Sequence, residues 1–210
     1  MRLIGRRPYY KNPRFCNWCM WLGRVYPGGT EIELSFLFAD VRGSTNLAET
    51  MTAAEFSQLM SRFYDAATDV LIRTDAFIDK LVGDEVIGLY IPGYAGRQHA
   101  RKAVQAAREL GRAMGYGTPA GPWLPIGIGV HTGVAYVGTV HGVEGAVTDF
   151  TALGDNVNIT ARLVSIAEPG EALISDASYA AAGLNLGDLE QRQLELKGKA
   201  EPVGVRVLGL

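Results

Sequence analysis

Two aspartates stand where divalent cations could be held. Asp40 closes a stretch in which Ile32, Leu34, Phe36 and Phe38 alternate with Glu33, Ser35 and Leu37, and this period of two predicts a strand ending at Asp40. Asp84 follows Gly83 between the apolar runs Ala76–Leu81 and Val86–Ile91, which predict two strands in a tight hairpin. In a β-α-β-β unit the first strand and the hairpin are neighbours, so both carboxylates come to one edge of the sheet. Such a pair suits hard cations, Mg²⁺ or Mn²⁺, and two of these held side by side serve phosphoryl chemistry. Val41-Arg42-Gly43-Ser44-Thr45 then makes a small-residue turn into a helix, whose backbone N–H groups suit a phosphate. Either aspartate alone reads as a cap or a turn residue. The pair beside this turn reads as a metal–nucleotide site.

A second set of polar residues lies further along. Asn158 and Arg162 are four apart in a predicted helix over Asn156–Ala167, stopped by Pro169-Gly170, so they share one face. Lys197 sits in the turn-like string Leu196-Lys197-Gly198-Lys199. No Gly-x-x-x-x-Gly-Lys-Ser/Thr string occurs, which excludes a P-loop NTPase.

The elements that must position these groups follow from periodicity. Thr52-Ala53-Ala54-Glu55 forms a capping box, and Phe56, Leu59, Met60, Phe63, Ala67, Val70 and Leu71 then recur at helical spacing. A second amphipathic helix is predicted over Arg97–Met114. Ile126–Val130 and Val134–Val140 read as two strands about a turn at Thr132-Gly133, and short strands are expected near Ala172–Ser175, Arg192–Leu196 and Val203–Val207. The order is β-α-β-β-α-β with extra C-terminal strands, an α+β fold of ferredoxin-like arrangement. Two parts are expected: an arm over 1–30, where Pro8, Pro13 and Pro27-Gly28-Gly29 interrupt regular structure, and one domain over 31–210.

The chain has 210 residues and a net charge of −2, which gives no bias toward nucleic acid. Charge is uneven: the arm holds six basic residues and no acid, and the remainder 14 basic against 22 acidic. The arm therefore reads as docking on its own acidic domain, ahead of a membrane surface or an acidic partner. No run long enough for a transmembrane helix and no signal-like apolar region occur, so a cytoplasmic location is expected. Cys16 and Cys19 make one C-x-x-C, half of a Zn²⁺ site. Two arms in a dimer could pool four thiolates, a redox switch is another use, and packed thiols among Phe15, Trp18 and Trp21 come first.

Three strings carry a resemblance: Phe38-Ala39-Asp40-Val41-Arg42-Gly43-Ser44-Thr45, Lys80-Leu81-Val82-Gly83-Asp84, and Thr151-Ala152-Leu153-Gly154-Asp155-Asn156-Val157-Asn158-Ile159-Thr160-Ala161-Arg162. In this order, over residues 32–208, they resemble the motifs of class III adenylate and guanylate cyclase catalytic domains. The resemblance implies attack of a ribose 3′-hydroxyl on the α-phosphate with loss of pyrophosphate. It implies two Mg²⁺ or Mn²⁺ per site on Asp40 and Asp84, with the Val41 carbonyl as a further ligand. Gly43, Ser44 and Thr45 would meet phosphate, Asn158 the ribose, Arg162 the α-phosphate and Lys197 the terminal phosphates. Lys80 and Thr151 match the base-reading pair, in the Lys/Thr form of bacterial cyclases, and point to ATP and cyclic AMP. Family sites are split between chains, which implies a head-to-tail homodimer. The alternatives are a cyclase for GTP or a pyrimidine triphosphate, and a non-catalytic nucleotide sensor.

Overall fold

The apolar stretch before Asp40 becomes β1 (Gly29–Val41), in which every residue from Leu34 to Ala39 is buried. Burial on both faces requires a central strand with layers above and below. The computed structural model, which describes residues 7–25, 28–141 and 148–210, places β1 there. It runs antiparallel between β3 (Glu85–Tyr90) and β4 (Ile126–His141), and β2 (Phe77–Val82) pairs with β3 as the predicted hairpin. The sheet order is β2-β3-β1-β4, then β6 (Glu171–Ser175), β8 (Val203–Gly209) and β7 (Glu190–Leu194). The first four strands are the ferredoxin-like core and the last three its C-terminal extension. β4 and β6 are parallel, joined through α6 (Asp155–Ile166).

One face of the sheet packs on α3 (Ala53–Arg73) and α5 (His99–Ala113), with α7 (Asp176–Ala182) beside them. The capping box forms as predicted: the Thr52 hydroxyl accepts from the Glu55 N–H at 3.3 Å, and the Glu55 carboxylate from the Thr52 N–H at 2.9 Å. The other face is an apolar layer of Leu34, Phe36, Phe38, Phe77 and Leu89, covered by Val164 of α6, by Ala152 and Phe150, and by Phe15 and Met20 of the arm.

Three features depart from the sequence expectation. Residues 126–141 form one uninterrupted strand, with no turn at Thr132-Gly133. Gly133 serves packing: a Cβ there would lie 2.5 Å from the Asn156 side chain, which caps that space by donating to the Val134 carbonyl. A strand not anticipated, β5 (Thr148–Leu153), pairs with the far half of β4. The arm also contains a helix, α1 (Asn17–Val25), fitted between Pro13 and Pro27. Ahead of α1, the Asn12 amide donates to the Ile78 carbonyl (2.9 Å) and accepts from the Ile78 N–H (2.7 Å), an outer-edge pairing on β2. Lys11 donates to the Asp79 carbonyl, and Arg14 pairs with Asp75.

Candidate active site

Asp40 and Asp84 are brought together by the hairpin. Asp40 is in register with Glu85, and the next amide, Val41 N–H, donates to the Asp84 carbonyl at 3.1 Å. The turn after Asp40 closes on them: Gly43 adopts φ 71°, a left-handed conformation natural to glycine, and opens α2 (Ser44–Thr50), so that the Ser44 hydroxyl donates to Asp84 Oδ2. Thr45 is exposed on the same turn. Behind, the Tyr64 hydroxyl of α3 donates to the Gly83 carbonyl and pins the hairpin tip.

This corner is short of positive charge. Burial pushes the Asp40 carboxyl up; Arg42, 3.1 Å away, opposes that and Asp84 adds to it. Burial first, then Asp40 and Asp84, push Glu85 up to about 7. Three carboxyl groups thus face one guanidinium, and an added cation would relieve the repulsion. Among the described residues no cluster of three or more His, Cys, Asp or Glu side chains could ligate a metal. Two carboxylates with backbone and substrate oxygens still fit Mg²⁺, which keeps water and phosphate ligands and uses one or two protein carboxylates.

Lys80 and Thr151 each lie beside a carboxylate, next to a kink in β2. The β2 register slips between Ile78 and Lys80, and Asp79 is left buried at 4% exposure. The Thr151 hydroxyl donates to Asp79 Oδ2 at 3.0 Å, and Lys80 Nζ lies 3.8 Å from Asp149. Burial pushes Asp79 up to about 6, opposed by Lys80, the Thr151 hydrogen bond and Lys11. Asp79 Oδ1 is buried with no hydrogen-bond partner among the described residues. The sequence reading passed over Asp79, Glu85 and Asp149. The signal for Asp79 was present as an acid inside the apolar run Phe77-Ile78-Asp79-Lys80-Leu81-Val82.

Asn158 and Arg162 lie on α6, Asn158 exposed and Arg162 half-buried, while Ile159, Leu163 and Val164 hold the helix to the sheet. β4 accommodates that approach with glycines. A Cβ at Gly129 would sit 2.7 Å from the Val164 nitrogen and 2.9 Å from the Thr160 carbonyl; one at Gly127 would sit 2.9 Å from the Ala167 carbonyl. The Lys197 loop borders Arg162: a Cβ on Gly198 would lie 3.7 Å from its guanidinium. Lys197 is exposed, and Lys199 pairs with Asp155 at the start of α6. Among the described residues, no hydrogen bond or ion pair joins the Asp40/Asp84 group to Lys80 and Thr151 or to Asn158 and Arg162.

The model of the adenylate and guanylate cyclase catalytic domain matches residues 29–207, nearly the whole chain. The chain belongs to this family. Cyclase structures share its fold: the adenylyl cyclase CyaB from P. aeruginosa superposes with a TM-score of 0.75 at 27% identity, covering 87% of this chain and 97% of that one. The guanylyl cyclase Cya2 does so with 0.73 at 28% identity, covering 87% and 95%. Similarity therefore does not choose between adenine and guanine. The adenylate cyclase of Anabaena cylindrica is 26% identical over 181 residues, 82% of this chain and 36% of that protein. The chain thus spans about a third of that relative, and 8% of a terminal-differentiation adenylate cyclase of Dictyostelium discoideum that is also 26% identical. Among the described residues no helix is long and apolar enough to cross a membrane.

Proposed function

We propose that this cyclase domain is an adenylate cyclase, converting ATP to 3′,5′-cyclic AMP and pyrophosphate. The observation that carries ATP over GTP is the hydrogen bond from Thr151 to Asp79. An ionised carboxylate only accepts. The Thr151 proton therefore points at Asp79, and the lone pairs of the hydroxyl oxygen are left for a donor. Adenine offers an amine at N6, where guanine has a carbonyl. Lys80 supplies the complementary donor for adenine N1, a position that carries hydrogen in guanine. A mismatched base leaves these groups unpaired, which is how two contacts can discriminate strongly.

Asp40 and Asp84, with the Val41 carbonyl, would hold two Mg²⁺ or Mn²⁺, which supply Lewis-acid charge to the triphosphate and lower the pKa of the 3′-hydroxyl. Gly43, Ser44 and Thr45 cradle phosphate at the turn. Asn158 orients the ribose. Arg162 stabilises charge growing on the α-phosphate, a task suited to a planar guanidinium that stays charged. Lys197 meets the terminal phosphates. The separation of the metal corner from the base-reading and α6 groups within one chain supports a head-to-tail homodimer, in which each site takes Asp40 and Asp84 from one protomer and Lys80, Thr151, Asn158 and Arg162 from its partner.

The test is incubation with each of the four ribonucleoside triphosphates and Mg²⁺ or Mn²⁺, with products identified by mass. Cyclic AMP from ATP alone is the expected result. A product from GTP or a pyrimidine triphosphate alone overturns the base assignment, and no turnover favours a nucleotide sensor. Asp40→Ala and Arg162→Ala chains, each inactive alone, should recover about a quarter of wild-type activity when mixed, since half the dimers then carry one intact site of two. A mixture that stays inactive refutes the shared site.

A further inference from the structure

Cys16 and Cys19 are not used by the cyclase reading, and their geometry is specific. Cys16 immediately precedes α1, whose nine residues place Cys19 in the first turn. The two sulfur atoms are 3.0 Å apart, with the Cys16 thiol donating to Cys19 Sγ. The Cys19 backbone N–H in turn donates to Cys16 Sγ at 3.2 Å. A backbone N–H donating to sulfur in the first turn of a helix suits the negative sulfur that disulfide exchange requires. Access is also asymmetric: Cys19 is exposed and Cys16 half-buried. Cys19 borders a cavity of about 320 Å³ that opens between the arm, Phe77 and Phe150.

We propose that Cys16 and Cys19 form a reversible dithiol–disulfide site that exchanges with small disulfides of the glutathione class. The exposed Cys19 thiolate attacks one sulfur of oxidised glutathione; that S–S bond breaks, a mixed disulfide forms, and one glutathione thiolate leaves. The Cys16 thiolate then attacks the Cys19 sulfur, forming the intramolecular disulfide and expelling the second glutathione thiolate. The two protons lost by the cysteines end on the two reduced glutathiones, so the chain is oxidised by two electrons and one oxidised glutathione is reduced. A three-residue separation held at contact distance makes the second step intramolecular, so the mixed disulfide does not accumulate.

The 210-residue chain, first reduced and freed of reductant, is equilibrated across a series of glutathione redox buffers, quenched with an alkylating reagent and weighed intact. Both thiols should disappear together in one transition. The oxidised chain should be lighter by two hydrogens, retain no glutathione, and regain both thiols with dithiothreitol. Cys16→Ser should instead trap one glutathione on Cys19. Thiols that stay alkylatable in excess oxidised glutathione overturn the proposal, as does stable glutathionylation of the wild-type chain. Disulfide-linked dimers overturn it too, and zinc at one ion per two chains protecting the thiols assigns them to a shared metal site instead. None of these readouts depends on nucleotide turnover, so the site stands or falls apart from the cyclase reading.

Discussion

Replacing Gly129 with alanine tests whether the seating of α6 sets the chemistry. The backbone of Gly129 is not in the left-handed region, so the substitution carries no conformational strain and its effect is steric. The new Cβ would lie 2.7 Å from the Val164 nitrogen and 2.9 Å from the Thr160 carbonyl, both backbone atoms that no rotamer change can move. The nearer contact is about 0.7 Å short of the 3.4 Å at which ordinary contact begins, so α6 must lift by a comparable amount. Overpacking of this kind costs about 1–3 kcal/mol, which for a chain of this size lowers Tm by roughly 2–12 °C. Arg162 rides on the same helix. A misplacement near 1 Å costs on the order of 100-fold in rate, so kcat should fall by about 10- to 100-fold while most of the protein stays folded. The assay is steady-state cyclic AMP formation beside thermal unfolding. Gly209→Ala is the control, since its Cβ meets nothing within 4 Å. Wild-type kcat and Tm in Gly129→Ala would refute the steric argument; a lowered Tm with unchanged kcat would refute the link from α6 to catalysis.

Asp79→Asn should lower the ratio of ATP to GTP turnover by about 10-fold or more, because an amide can donate to Thr151 as well as accept and no longer fixes its proton. The same change should stabilise the fold at neutral pH. Asp79 is raised from 3.8 to about 6 in the folded chain, so the folded state binds the extra proton and wild-type stability falls as pH rises from about 4 to 6. Asn removes that cost, on the order of 1–3 kcal/mol, and denaturant unfolding at pH 5 and 8 reads it. In the wild type, lowering pH through about 6 protonates Asp79, and the ATP-to-GTP ratio measured at pH 5.5 and 7.5 should drop with it. Asn12→Ala should leave the buried Ile78 N–H and carbonyl unpaired and cost about 2–4 kcal/mol. It should also release the arm to limited proteolysis ahead of β1; an arm as resistant as the wild type's would refute the clamp.

What was legible in the sequence was local. Asp40 and Asp84 were readable because a strand end and a two-residue hairpin tip are written in alternation and in Gly83. Helix α3 announced itself by its capping box, and α6 by spacing and by Pro169-Gly170. What failed was non-local. Gly133 looked like a turn because its reason for being glycine is the Asn156 side chain, 23 residues away in sequence. Pro13 looked like a breaker of the whole arm, yet a helix begins four residues later at Asn17. Asp79 showed in the sequence only as an acid inside an apolar run; its hydrogen-bond partner Thr151 lies 72 residues away, beside a register slip between Ile78 and Lys80 that the strand pattern does not predict.

The central position of β1 has a consequence for synthesis. The strand pairs on one side with residues 85–90 and on the other with residues 126–138. The β1–β3 pairing can form once β3 has left the ribosome, but the other edge of β1 stays open until roughly 50 further residues have been added. At about 5–20 residues per second that is an interval of about 3–10 s, during which a strongly apolar strand edge is available to another nascent chain. Production of this domain should therefore respond to chaperones that cover nascent apolar segments, and to translation speed between residues 90 and 141, more than to the stability of the finished fold.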